Sequence, residues 1–271
     1  MRRIESIEEL KKIQLDLLLV FHRFCVEHDI KYSLAAGTLI GAVRHKGFIP
    51  WDDDIDVYLL RDEYKKLIEV YPRKSKNNCS LVSMERDNNW HRAYAKFYDS
   101  RTLMMEKTKS RYEGIGVGID VFPVDDVPDN QEEWKRYNKR RIFLRNIMSV
   151  KTMAFSAKRN ILKTAFLLVG QFLLLPVSQK ALAKILDKYG QKNNGKGFRH
   201  VYENNPGVYN SKHAWLKKDM EQFLDSEFEG YQVKIMAGYD DYLTTIYGNY
   251  MQLPPEEKRV SHHTFVAFRK V

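Results

Sequence analysis

Cysteine is scarce in this 271-residue sequence: there are two, Cys25 and Cys79. Two thiols cannot make a disulfide framework, and they have no metal-ligand spacing, so a reducing compartment is expected. The opening MRRIESIEELKK is amphipathic and charged where a secretory signal needs an apolar segment, so export is not expected. No internal repeat is visible, and the composition excludes disordered, collagen-like and coiled-coil classes. The apolar stretch 161–176, ILKTAFLLVGQFLLLP, falls short of the ~20 residues of a bilayer span and contains Lys163 and Gln171. A buried core helix is the expectation there. The alternative is an interfacial helix, because Lys151, Lys158, Arg159 and Lys163 flank it.

Hydrophobic residues at 44% against charged ones at 30% allow a substantial core. At ~150 residues per domain the length fits one large domain or two small ones. The formal net charge of +10 points to a polyanionic partner: nucleic acid, an anionic membrane surface or a phosphorylated substrate. Solubility alone is the plainer account of that charge.

From Ile7 to Cys25 the apolar positions Leu10, Ile13, Leu17, Phe21 and Phe24 recur at helical spacing. Lys31 to Ala36 reads as a short strand, LIGAVRHKGFIPW (39–51) as a loop, and the end of DDDIDVYLL as a buried strand. A short helix over 62–71 ends at Pro72. CSLVSM, RAYAKFY, RTLMME and GVGIDVF read as strands, with Pro123 closing the last. A long basic helix is predicted from Gln131 to about Lys151, and helices over 157–190 broken at Pro176. Residues 191–207, rich in asparagine and glycine, read as a loop or a domain edge. The last 60 residues read as a strand pair near 223–236, a helix near 239–247 and an irregular tail. The class is mixed α/β.

The most informative segment is GTLIGAVRHKGFIPWDDDIDVYLL, residues 37–60. On one strand, Asp54 and Asp56 project from the same face, ~5–7 Å apart, and repel unless a cation lies between them. A hard divalent ion fits that need and shares its shell with water and phosphate oxygens. Such a pair on an exposed strand usually binds nothing, but this one comes with Asp52 and Asp53, a Gly37-Thr38 turn suited to phosphate, and the basic triplet Arg44-His45-Lys46. A Ca²⁺-loop reading of Asp52, Asp54, Asp56 and Glu63 fails, because Val57 stands where a glycine must turn the chain. Asp120, between Ile119 and Val121, is costly to bury without a partner and is either a third metal carboxylate or a hydrogen-bonded strand end.

The runs AGTLIGAVRHKGFIPWDDDIDV, GIDVFPVDDVP and YLTTIYGNYMQLPPEEKRVSHH resemble the LicD-type phosphocholine transferases and, through them, the fukutin-related group. The resemblance spans nearly the whole chain and is densest in 35–65 and 239–265; residues 145–210 match nothing recognisable. It implies a nucleotidyltransferase-like core over residues 1–130, a helical region over 131–210 for acceptor or membrane contact, and a C-terminal segment, 211–271, completing the site. The family's Gly-[Ser/Thr] turn falls on Gly37 and Thr38, its acid pair on Asp54 and Asp56, and its third acid on Asp120.

What the resemblance implies is transfer of phosphocholine from CDP-choline to a sugar hydroxyl of a glycan precursor of teichoic acid, capsule or lipopolysaccharide type, with CMP released. Asp54, Asp56 and Asp120 would hold Mg²⁺ (or Mn²⁺), and Asp53, or Asp120 if it is not a metal ligand, would take the acceptor proton. Gly37, Thr38, Arg44, His45 and Lys46 would meet phosphate. Trp51 and one of His262 and His263 are further substrate candidates. A cage of Trp51, Tyr58, Tyr94 and Phe97 for trimethylammonium is weighed against the plainer reading of core aromatics. The expected partners are CDP-choline, a glycan or lipid-linked oligosaccharide and an anionic membrane, with no nucleic acid, and the expected location is cytoplasmic, peripheral at the inner face of the plasma membrane. The alternatives are CDP-ribitol or CDP-glycerol as donor and, more distantly, a nucleic-acid nucleotidyltransferase.

Overall fold

The computed structural model describes residues 1–73, 77–106, 114–153, 160–203, 214–260 and 265–270. Strand β1 (Arg2–Ile4) leads into α1 (Ile7–Glu27), whose amides at Glu8 and Glu9 donate to the capping Ser6 side chain. There follow β2 (Ser33–Leu34), α2 (Ala36–Ile40), a π turn (Gly41–His45), β3 (Asp56–Leu60) and α3 (Arg61–Val70). Strands β4 (Cys79–Val82), β5 (Ala95–Asp99), β6 (Thr102–Glu106) and β7 (Gly118–Val127) precede α4 (Gln131–Thr152), α5 (Ile161–Leu173) and α6 (Gln179–Gln191). The chain closes with β8 (His200–Glu203), β9 (Trp215–Leu216), β10 (Phe223–Phe228), β11 (Tyr231–Met236), α7 (Tyr239–Tyr247) and β12 (Phe265–Arg269). The class is mixed α/β, as expected.

The main sheet runs β2-β3-β7-β5-β4, with β8 and β9 added beyond the far end of β7. Among the described residues only β3 and β7 pair in parallel, and their register sets Asp56 opposite Asp120 and Tyr58 opposite Phe122. β5 lies antiparallel on the other side of β7 and sets Lys96 opposite Asp120. Because side chains alternate, one sheet face carries Asp56, Tyr58, Lys96, Asp120 and Phe122. The other carries Val57, Leu59, Phe97, Ile119 and Val121. Phe97 meets Phe21 of α1 edge-on at 5.6 Å and Tyr71 at 5.3 Å, so α1 covers this apolar face. Beneath it, Arg61 of α3 forks onto Asp125 of β7 at 2.8 and 2.6 Å and reaches Asp187 of α6 at 2.9 Å, tying three elements to the sheet.

Five expectations are corrected. Residues 39–51 are not all loop: α2 and the π turn fill 36–45, and Gly41 permits it because a Cβ there would lie 2.4 Å from the Gly47 carbonyl oxygen. Pro123 does not end its strand. The Asp120 N–H donates to Ile55 on the β3 side, so alternation turns position 123 the other way, where β5 pairing has stopped at Val121 and β8 pairing starts at Val124. No donor is needed in that gap. β8 occupies part of the expected 191–207 loop, and the tail contains β12, which pairs with β1 and β6. Finally, α5 is not a core helix: its one buried residue is Leu167.

Candidate active site

The site is built at the start of β3, where the chain passes from the π turn to the sheet. The ladder begins at Asp56, so Asp54 lies in the extended lead-in rather than within the strand as expected. Thr38, buried in α2, fixes this entry: the Asp56 N–H donates to Thr38 Oγ1 at 2.9 Å, and the Ala35 N–H donates to the Asp56 carbonyl at 3.0 Å. Just before it, Ala36 takes the left-handed conformation (φ 48°). Gly37 then sits against the Asp52 carboxylate; a Cβ there would lie 2.7 Å from Asp52 Oδ2. The Gly37-Thr38 turn thus grips the acidic segment from both sides.

Asp56 is buried, and burial holds its carboxyl well above the usual carboxylate range, reinforced by Asp54, Asp120 and Asp52 and opposed by Lys96. Lys96 Nζ donates to Asp120 Oδ1 at 2.5 Å; the lysine side chain is 8% exposed and the aspartate 21%. Asp52, Asp54 and Asp120 thus crowd Asp56, and Lys96 is the cation that opposes them, an excess of negative charge with the chemistry of a divalent-cation site. Among the described residues, no three histidine, cysteine or acidic side chains already stand at metal-ligand spacing. The donor set fits a hard cation in kind, and Lys96 supplies part of the compensation itself.

Asp53 faces elsewhere. It is buried, its carbonyl accepts from Gln14 Nε2 at 2.9 Å, and it lines a cleft of about 390 Å³ with Arg3, Glu5, Ser6 and Phe265. The basic triplet is split. Arg44 Nη1 donates to the carbonyls of Tyr250 (2.5 Å) and Gln252 (3.3 Å), and its Nε donates to His45 Nε2 at 2.9 Å. Burial and the neighbouring Arg44 lower the His45 pKa, so His45 is the neutral acceptor of that bond. Lys46 is exposed. Trp51 packs edge-on to His45 at 6.5 Å, and the Arg259 guanidinium lies 5.8 Å from the indole centroid, bringing the C-terminal segment to the residue before Asp52. His262 and His263 lie outside the described residues.

The four aromatics weighed as a cage do not form one. Phe97 is in the core on the opposite face, Tyr94 meets Phe122 at 4.6 Å, and Tyr58 stacks on Trp215 at 6.0 Å and meets Tyr242 edge-on. Two site residues were not expected from the sequence. Asp52 was read only as part of an acidic run, and its position against Gly37 depends on the α2 turn. Lys96 carried a usable signal, a lysine inside the alternating strand RAYAKFY, but nothing local said which face it shares with Asp120.

A family model described as LicD/FKTN/FKRP, nucleotidyltransferase domain, matches residues 29–158. The lipopolysaccharide cholinephosphotransferase LicD of Haemophilus influenzae is 35% identical over 266 residues, covering 97% of this chain and 98% of that protein. Uncharacterised proteins of Rickettsia prowazekii and Rickettsia typhi are 38% and 27% identical over 43% and 48% of this chain, and 53% and 50% of their own.

Proposed function

The chain belongs to the LicD family of transferases, and on that premise we propose that it moves phosphocholine from CDP-choline to a sugar hydroxyl of a cell-surface glycan, releasing CMP. The acceptor class follows the lipopolysaccharide in the printed name of the Haemophilus relative. The observation that carries the reading is the in-register pair Asp56 and Asp120, crowded by Asp54 and Asp52 and answered by Lys96. Phosphoryl transfer asks mainly for positioning and for neutralised charge; these carboxylates would position a divalent cation, and that cation would supply the neutralisation. In this reading the sheet from β2 to β7 acts as a nucleotidyltransferase-like core.

Asp54, Asp56 and Asp120 would hold Mg²⁺ (or Mn²⁺), which when bound neutralises the diphosphate. Thr38 orders Asp56 through its main chain, and Gly37 leaves room for the Asp52 carboxylate, so the Gly37-Thr38 turn serves the site by placing its acids. Exposed Lys46 attracts the anionic donor, whereas Arg44 fixes the chain at Tyr250 and Gln252. The acceptor oxygen bonds to the phosphorus that carries choline, the bond from that phosphorus to the CMP oxygen breaks, and the hydroxyl proton passes to a carboxylate. The candidates for that role are Asp53 and, if it does not hold the metal, Asp120.

The test is CMP release by the purified chain with Mg²⁺ and lipopolysaccharide, given CDP-choline, CDP-ribitol or CDP-glycerol in parallel. Release from CDP-choline alone is expected. Release only from a polyol donor would overturn the choline assignment while keeping the site.

A further inference from the structure

We infer that α5 is a docking helix that lies in the surface of an anionic membrane. Its amphipathy is reversed. At 100° per residue, Ile161, Leu162, Ala165, Phe166, Leu168, Val169, Phe172 and Leu173 fall on one continuous side, and every one of them is exposed. Ile161 is 85% exposed, Phe166 78% and Phe172 71%. The polar residues point the other way. Gln171 Nε2 donates to the carbonyls of Val150 and Met153, both at 2.9 Å, and Lys151 Nζ of α4 donates to the Leu174 carbonyl at 2.8 Å. Gly170 completes the contact, since a Cβ there would lie 2.9 Å from Val150 Cγ1. The helix is thus held to α4 by its polar side, with its apolar side turned out.

A contiguous apolar face of this kind marks an interaction surface. Charge selects the occupant. Leaving out the buried Arg141, helices α4, α5 and α6 carry ten basic side chains against three acidic ones, Glu132, Glu133 and Asp187; Glu132 is paired with Lys135 and Asp187 with Arg61. A second copy docked face to face would set these cations against each other, whereas acidic headgroups complement them. Length selects the mode. Thirteen residues make a helix ~20 Å long, short of the ~30 Å hydrocarbon core, and no described helix is long and apolar enough to cross it. Exposure runs from Ile161 to Leu175, so the axis lies along the surface, with the phenylalanines and leucines among the acyl chains.

The test is flotation of the full chain with vesicles of phosphatidylcholine alone or mixed in equal parts with phosphatidylglycerol. The chain is expected to rise with the mixed vesicles and stay down with the neutral ones. F166S/F172S, both at exposed positions, should weaken the partition by about 10-fold per ring, on the order of 100-fold together, with thermal unfolding unchanged. The inference is overturned if the wild-type chain ignores the anionic vesicles or if the double variant rises with them equally. It is also overturned if sedimentation equilibrium shows a dimer that the double variant abolishes.

Discussion

Replacing Thr38 with valine isolates what holds the acidic segment in place. The side chains are nearly isosteric, so the change removes one acceptor, the Oγ1 that receives the Asp56 N–H at 2.9 Å in a buried setting. A buried donor left without its acceptor costs about 1–3 kcal/mol. Thr38→Val should therefore lower the unfolding free energy by about that amount, measured by urea denaturation without any donor, where a phosphate-binding role for the hydroxyl has no effect. CMP release should fall by ~100-fold, because an error of ~1 Å in Asp56 misplaces a group the reaction depends on. Thr38→Ser keeps the acceptor and should recover most of both losses. Wild-type stability and turnover in Thr38→Val would refute the positioning argument. Loss of turnover with full stability would leave Thr38 a substrate contact only.

Arg61→Met leaves Asp125 buried without its cation and should cost about 3–5 kcal/mol in urea unfolding, much of it recovered by adding Asp125→Leu; a cost under ~1 kcal/mol would contradict this. Glu203 at the end of β8 is fully buried, and burial pushes its carboxyl up to about 8, with Arg141 opposing. The folded state holds that proton more tightly than the unfolded chain, so Glu203's contribution to stability is whole below ~4.3 and is lost as pH rises through about 8. Glu203→Gln should flatten the decline in urea midpoint over that window, and parallel curves would count against it. Gly41→Ala drives a Cβ into the Gly47 carbonyl at 2.4 Å, a backbone contact that cannot yield cheaply, so it should lower the melting temperature by several degrees; an unchanged melting curve would count against the close approach.

Helical spacing located α1, local residue pattern located α3, α4, α6 and α7, and residue chemistry singled out Asp54, Asp56 and Asp120 as candidates, because these signals are local in the chain. What stayed illegible depends on distant segments. β8 and β12 are short strands that join their sheets through partners 70 or more residues away, β7 for β8 and β1 and β6 for β12, so their own residues look like loop and tail. Lys96 became part of the site only through the β5–β7 register. Pro123 looked like a stop because its missing donor matters only if a neighbour needs it, and the gap between β5 and β8 removes that need. For α5 the sequence displayed an apolar face without saying whether that face turns toward protein or away, and the polar contacts to α4 turn it outward.

The central claim is that the carboxylates gathered around Asp56 and Asp120 carry out the transfer. It is tested most directly by measuring CMP release from CDP-choline, with acceptor and Mg²⁺, for the wild-type chain, Asp54→Asn, Asp56→Asn and Asp120→Asn, each with and without EDTA. The account predicts turnover in the wild type that EDTA abolishes and excess Mg²⁺ restores. It predicts none in the three variants, although each keeps its wild-type circular dichroism. Turnover that survives in Asp56→Asn or Asp120→Asn, or that is indifferent to EDTA, would contradict it.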